Sequence, residues 1–121
     1  MQCPACKEVM IILELNDVEI DHCLDCRGIW LDNGELELLL GNSNKMPLKL
    51  AKNFQEASRK CPRCGTKMEK AVFQTKTSEI LLDKCPKGCG LWFDEGELQE
   101  VARNQDSDHP IIKLINEIFV Q

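Results

Sequence analysis

The chain has 121 residues, eight of them cysteine, and a net charge of −5; it is short for one ordinary domain and very short for two. Units of about 40 residues bury too little apolar surface to offset their chain entropy, so the cysteines read as the staple. No apolar run approaches the ~20 residues of a membrane span and no secretory h-region follows Met1, so the expectation is a soluble, cytoplasmic chain with reduced cysteines.

From the N-terminus, Cys3-Pro4-Ala5-Cys6 is a tight turn whose backbone Pro4 fixes. The stretch "EVMIILELNDVEID" then places two apolar runs around an Asn16-Asp17 turn signal, which describes a β-hairpin. Cys23-Leu24-Asp25-Cys26 follows it, and then Trp30. Asp32-Asn33-Gly34-Glu35 reads as a helix start of the capping-box kind, with Leu36, Leu39 and Leu40 at core-facing spacing. Gly41-Asn42-Ser43-Asn44 ends that helix and opens a linker, where Pro47 starts a further short helix carrying Leu50, Ala51, Phe54 and Ala57.

The pattern then repeats. Cys61-Pro62-Arg63-Cys64 opens the second copy, Met68 answers Met10, and a hairpin spans the segment around Phe73–Thr77 and "SEILLD". Cys23–Leu36 and Cys85–Leu98 share seven of fourteen positions, ending in Trp92 and an Asp94-Glu95-Gly96-Glu97 helix start with Leu98, Val101 and Ala102. Gly88 stands where the first copy has Cys26, and Cys89 takes over as the same ligand. Glycines at 88 and 90 let the longer loop swing that sulfur back. Ile111, Ile112, Leu114, Ile115, Ile118 and Phe119 then form a helical stripe too wide for one small unit to bury.

Two short-spaced cysteine pairs at the two ends of a hairpin bring four thiolates to one point. Zinc takes four such ligands tetrahedrally at about 2.3 Å; a single iron suits the same ligands and stays open. Four sulfurs leave no free coordination position, and no acid–base cluster surrounds a nucleophile, so the reading is non-enzymatic. Residues 1–44 hold two Lys/Arg against nine Asp/Glu, and residues 45–76 hold nine against two. Lys7, Arg27, Lys60, Arg63, Lys67, Lys84 and Lys87 lie at or beside the cysteines, where cations offset thiolate charge. His22 adjoins Cys23, but its counterpart is Lys84, which argues against a ligand role; His109 reads as a linker residue. Trp30 and Trp92 read as packing, each laid across its own hairpin between metal site and helix, rather than as base-stacking surfaces.

Over about Cys3–Leu40 and Cys61–Ala102 both copies resemble the zinc ribbon of the transcription factor IIB type, in the short prokaryotic version ending W-[LF]-D-x-G-E-L. The resemblance implies one zinc on Cys3, Cys6, Cys23 and Cys26 and another on Cys61, Cys64, Cys85 and Cys89. The name implies transcription, but a fold does not fix a function. The expected architecture is a small metal-stabilised α+β protein: ribbon one over 1–42, a partly helical linker over 43–59, ribbon two over 60–105 and a C-terminal amphipathic helix over 106–121. The expected function is a zinc-binding adaptor that meets a protein partner or a second copy through Leu38 and the Ile111–Phe119 stripe. The alternatives are nucleic-acid binding through the basic 45–76 segment, and zinc storage or sensing.

Overall fold

The turn signal at positions 16 and 17 is realised as strands β1 (Ile11–Leu15) and β2 (Val18–His22), with Leu15 opposite Val18 and Asp17 turning at φ 66°. These come from a computed structural model that describes residues 1–15, 17–40, 48–50, 59–74 and 79–103. The sequence Ile29-Trp30-Leu31-Asp32 forms a third strand, β3 (Ile29–Asp32), paired to β2 before the short helix α1 (Glu35–Leu40). The second copy builds the same unit from β5 (Glu69–Gln74), β6 (Glu79–Lys84), β7 (Gly90–Phe93) and α2 (Glu97–Arg103).

Between them the linker contributes β4 (Leu48–Leu50), antiparallel to β5 with Lys49 opposite Val72. This corrects the helix expected to begin at Pro47 and carry Leu50. Three residues of alternating type gain a ready ladder on the outer edge of β5, and that tertiary pairing outweighs helix propensity. Ala51, Phe54 and Ala57 lie outside the described residues, as do His109, the Ile111–Phe119 stripe and the C-terminal helix assigned to 106–121.

The expectation was two ribbons, each a β-hairpin with a short helix, joined by a linker; the copies also join in one antiparallel sheet of order β1-β2-β3-β7-β6-β5-β4. The junction is β3 against β7, with Ile29 opposite Phe93, Trp30 opposite Trp92, Leu31 opposite Leu91 and Asp32 opposite Gly90. Because Trp30 and Trp92 are equivalent positions, this register is that of an isologous two-fold interface folded into one chain.

Strand alternation sorts side chains to two faces. On one, Val18, Ile20, Ile29, Leu31, Phe73, Ile80, Leu82 and Phe93 meet Leu36 of α1 and Leu98 and Val101 of α2. That core is shared, so each copy's apolar face is completed by the other. On the opposite face Trp30 and Trp92 cluster with Met10, Met68 and every cysteine but the exposed Cys64. Among the described residues, no helix is long and apolar enough to cross a membrane.

Candidate metal centre

Each cysteine pair sits in a loop whose backbone is set by the same device. The amide of Lys7 donates to the Cys3 carbonyl at 2.9 Å, Arg27 to Cys23 at 2.8 Å, Gly65 to Cys61 at 2.9 Å and Gly88 to Cys85 at 3.0 Å. All four donors have positive φ, from 65° to 83°. In three loops the left-handed residue follows the second cysteine. In the fourth, Gly88 comes one place earlier and Cys89 follows it, so the extra residue is absorbed inside the turn. Gly88 therefore does what the sequence suggested. Gly90 does not: it lies in β7, and a Cβ there would sit 2.2 Å from the Leu31 carbonyl oxygen and 2.8 Å from the Trp30 ring. Its smallness serves the junction rather than the metal loop.

These turns bring Cys3, Cys6, Cys23 and Cys26 into one group and Cys61, Cys64, Cys85 and Cys89 into another, with all Sγ atoms of a group within 4.8 Å of one another. Cys3 and Cys26 sulfurs are 3.4 Å apart, Cys6 and Cys23 3.4 Å, and Cys64 and Cys85 3.6 Å. None of the eight is in a disulfide. A tetrahedral zinc with four sulfurs at about 2.3 Å requires edges of about 3.8 Å, so the quartets suit that ion with slight expansion. Backbone amides already point at the sulfurs: Ala5 and Cys6 to Cys3 at 3.3 and 3.4 Å, Cys26 to Cys23 at 3.5 Å, and Arg63 to Cys61 at 3.4 Å. Such amides favour thiolate.

Proton affinities within a quartet are pushed apart. The Thr66 side chain and amide lower Cys64 to about 6, while hydrogen bonding to Cys85 and Cys64 pushes Cys89 up to about 12. Burial, the largest influence on Cys26, raises it as well. Four thiolates this close oppose full ionisation unless a cation joins them, and a divalent ion supplies that charge.

A profile of the transcription factor zinc-finger family, of the transcription factor IIB zinc-ribbon type, matches residues 2–41 and 60–104. The chain belongs to that family. No curated protein and no solved structure matches it. The protein is thus a tandem zinc ribbon with two tetracysteine sites and two zinc ions per chain.

Other residues singled out in the sequence have different places. Buried His22 stays outside the quartets; its Nδ1–H donates to the Gly28 carbonyl at 3.0 Å, and burial lowers its pKa. Trp30 and Trp92 do not lie between metal site and helix, since the helices cover the other face of the sheet. Each ring instead crosses to the opposite ribbon: a Cβ on Gly28 would come 2.1 Å from the Trp92 ring, mirroring Gly90 beneath Trp30.

Each indole N–H donates to an aspartate two residues on, Trp30 to Asp32 at 2.9 Å and Trp92 to Asp94 at 3.1 Å. Those aspartates are then met by arginine. Arg63 Nη2 of ribbon two donates to Asp32 of ribbon one at 2.6 Å, with Nε joining it. The position equivalent to Arg63 is Ala5, which has nothing to give Asp94, and Arg59 pairs with Asp94 instead. Sequence reasoning assigned Arg63 to the thiolates and missed Arg59. The recurring Trp-x-Asp spacing was the available signal, because residues i and i+2 of a strand share a face. Glu35 and Glu97 accept the backbone N–H of Asp32 and Asp94, the reciprocal half of a capping box.

Proposed function

We propose that this tandem zinc ribbon is a non-catalytic adaptor whose first ribbon presents an apolar surface to a partner protein. One observation carries the reading. Val9 is 72% exposed and Ile12, Leu24 and Leu38 each 66%. The equivalent positions in ribbon two are Lys67, Lys70, Pro86 and Glu100. Both ribbons have the same strands and the same ligand set, so the fold does not require apolar residues at those positions. Exposed apolar side chains that an internal duplicate does without support a contact role for ribbon one, with Leu38 on the helix-covered face of the sheet and Ile12 on the other.

The electrostatics support a protein partner over nucleic acid. Of the basic segment's cations whose side chains are described, Arg59, Arg63 and Lys70 face the carboxylates of Asp94, Asp32 and Asp83, which leaves the exposed Lys60 and Lys67. Phosphate binding needs cations directed outward. Closed tetrathiolate sites and glutamates engaged in capping support the absence of catalysis.

The test is affinity capture from native extract with zinc kept bound, comparing wild type with a Val9→Lys, Leu38→Glu double variant. A partner retained by wild type and lost by the variant, at equal zinc content, is the expected result. Identical capture by both proteins overturns the reading.

A further inference from the structure

The two ribbons differ at one more place. The outer edge of β5 carries β4, whereas β1, its equivalent, is the terminal strand of the sheet and pairs only with β2 among the described residues. We propose that the outer edge of β1 binds an extended segment of the partner protein with the pattern apolar–basic–apolar, adding an eighth strand to the sheet. This deepens the adaptor reading and rests on it.

The chain itself supplies the template. In β4, Leu48, Lys49 and Leu50 lie opposite Phe73, Val72 and Ala71. The positions equivalent to those three on β1 are 15, 14 and 13. A segment seated on β1 in the same register therefore places its basic residue opposite Glu14 and an apolar residue opposite Leu13, which packs at the margin of the shared core.

Charge selects the same pattern. Glu14 is exposed and lies directly opposite exposed Glu19. Like charges in facing positions weaken a ladder. Ribbon two has Val72 opposite Leu81 there, so the acidic pair is particular to ribbon one. A cation arriving opposite Glu14 relieves that repulsion. A second copy pairing β1 with β1 instead brings together two ribbons that each carry nine acidic residues against two basic ones.

The backbone is also disposed for this addition. A two-residue turn leaves its flanking positions, 15 and 18, hydrogen-bonded to each other, and alternation then directs the backbone groups of Ile12 and Glu14 outward. An exposed edge with apolar flanks such as Ile11 and Ile12, 38% and 66% exposed, is normally protected by lysine, proline or a bulge. Here it has none.

The experiment uses the zinc-loaded full chain and a fluorescein-labelled peptide of the chain's own residues 45–52, read by anisotropy. Saturable binding that weakens roughly tenfold in Glu14→Lys, and similarly with a peptide carrying glutamate in place of its central lysine, is expected. Glu14→Pro, which removes only an outward N–H, abolishes binding while zinc content stays at two per chain. Should Glu14→Pro lose zinc, Glu14→Lys alone decides. No saturation, or equal binding by wild type and Glu14→Lys, overturns the proposal. A concentration-dependent dimer by sedimentation that Glu14→Pro dissociates overturns it in favour of a second copy. If the peptide fails while partner capture remains sensitive to Val9→Lys, Leu38→Glu, the edge proposal falls alone; capture insensitive to those substitutions removes the adaptor reading itself.

Discussion

At the residue scale, the metal loops hold two side chains in a backbone region that suits glycine. Lys7 and Arg27 turn at φ 70° and 65°, where ribbon two uses Gly65 and Gly88. An L-residue there costs about 1 kcal/mol through its Cβ. Lys7→Gly and Arg27→Gly are therefore expected to raise the stability of the zinc-bound protein by up to about 1 kcal/mol each, measured by denaturant titration with zinc present. Loss of stability in both would show that their side chains matter more than their backbone. Asp32 offers a pH test. The hydrogen bonds from Arg63 hold its carboxyl below the ordinary range, with Trp30 assisting. A carboxylate with a depressed folded pKa adds stability that is complete above its unfolded value and is lost as pH falls through the folded one. In Arg63→Ala the Asp32 midpoint, followed by carboxyl NMR, is expected to move upward. An unchanged midpoint would mean that the inter-ribbon pair is not formed in solution.

At the element scale, the sheet junction rests on two glycines. Gly90→Ala places a Cβ against the Leu31 carbonyl and the Trp30 ring, and Gly28→Ala places one inside the Trp92 ring. Overpacking of this kind costs about 1–3 kcal/mol. Both variants are expected to keep two zinc ions yet denature earlier and change their tryptophan fluorescence; wild-type behaviour in both would dispose of the crossed-ring packing. The junction also shows what the sequence could not convey. Hairpins, cysteine quartets and the helices at Glu35 and Glu97 were legible because each is encoded within about thirty consecutive residues. The pairing of β3 with β7 spans some sixty residues, and nothing in Ile29-Trp30-Leu31-Asp32 names its neighbour. Leu48-Lys49-Leu50 was unreadable for the same reason, since three residues become a strand only where an outer edge awaits them. Trp30 was correctly read as packing, but the face it occupies followed from a strand that the sequence alone did not announce.

At the scale of the whole molecule, the two-fold relation between the ribbons makes the chain behave as a covalent dimer of one small unit. Neither ribbon owns its core: Ile29, Leu31 and Leu36 come from one, Phe73, Leu82, Phe93 and Leu98 from the other. A separated ribbon two, residues 60–121 with zinc, would expose Leu91, Trp92 and Phe93 along an open edge. The equivalence of β3 and β7 offers it a solution. A second β7 can take the place of β3 in the same register, setting Trp92 against its counterpart and Leu91 against Phe93. Gly90 is available on both sides to receive the rings, and Arg63 of each copy faces Asp94 of the other, as it faces Asp32 in the full chain. The 60–121 fragment is therefore expected to be a zinc-loaded dimer by light scattering, and Gly90→Ala to impair that dimer. Residues 1–44 carry Ala5 in place of Arg63 and a strongly acidic balance, so that fragment is expected to associate far more weakly. A 60–121 fragment that is monomeric, zinc-loaded and as resistant to denaturant as the full chain would show that each ribbon folds for itself, and that the shared core contributes little.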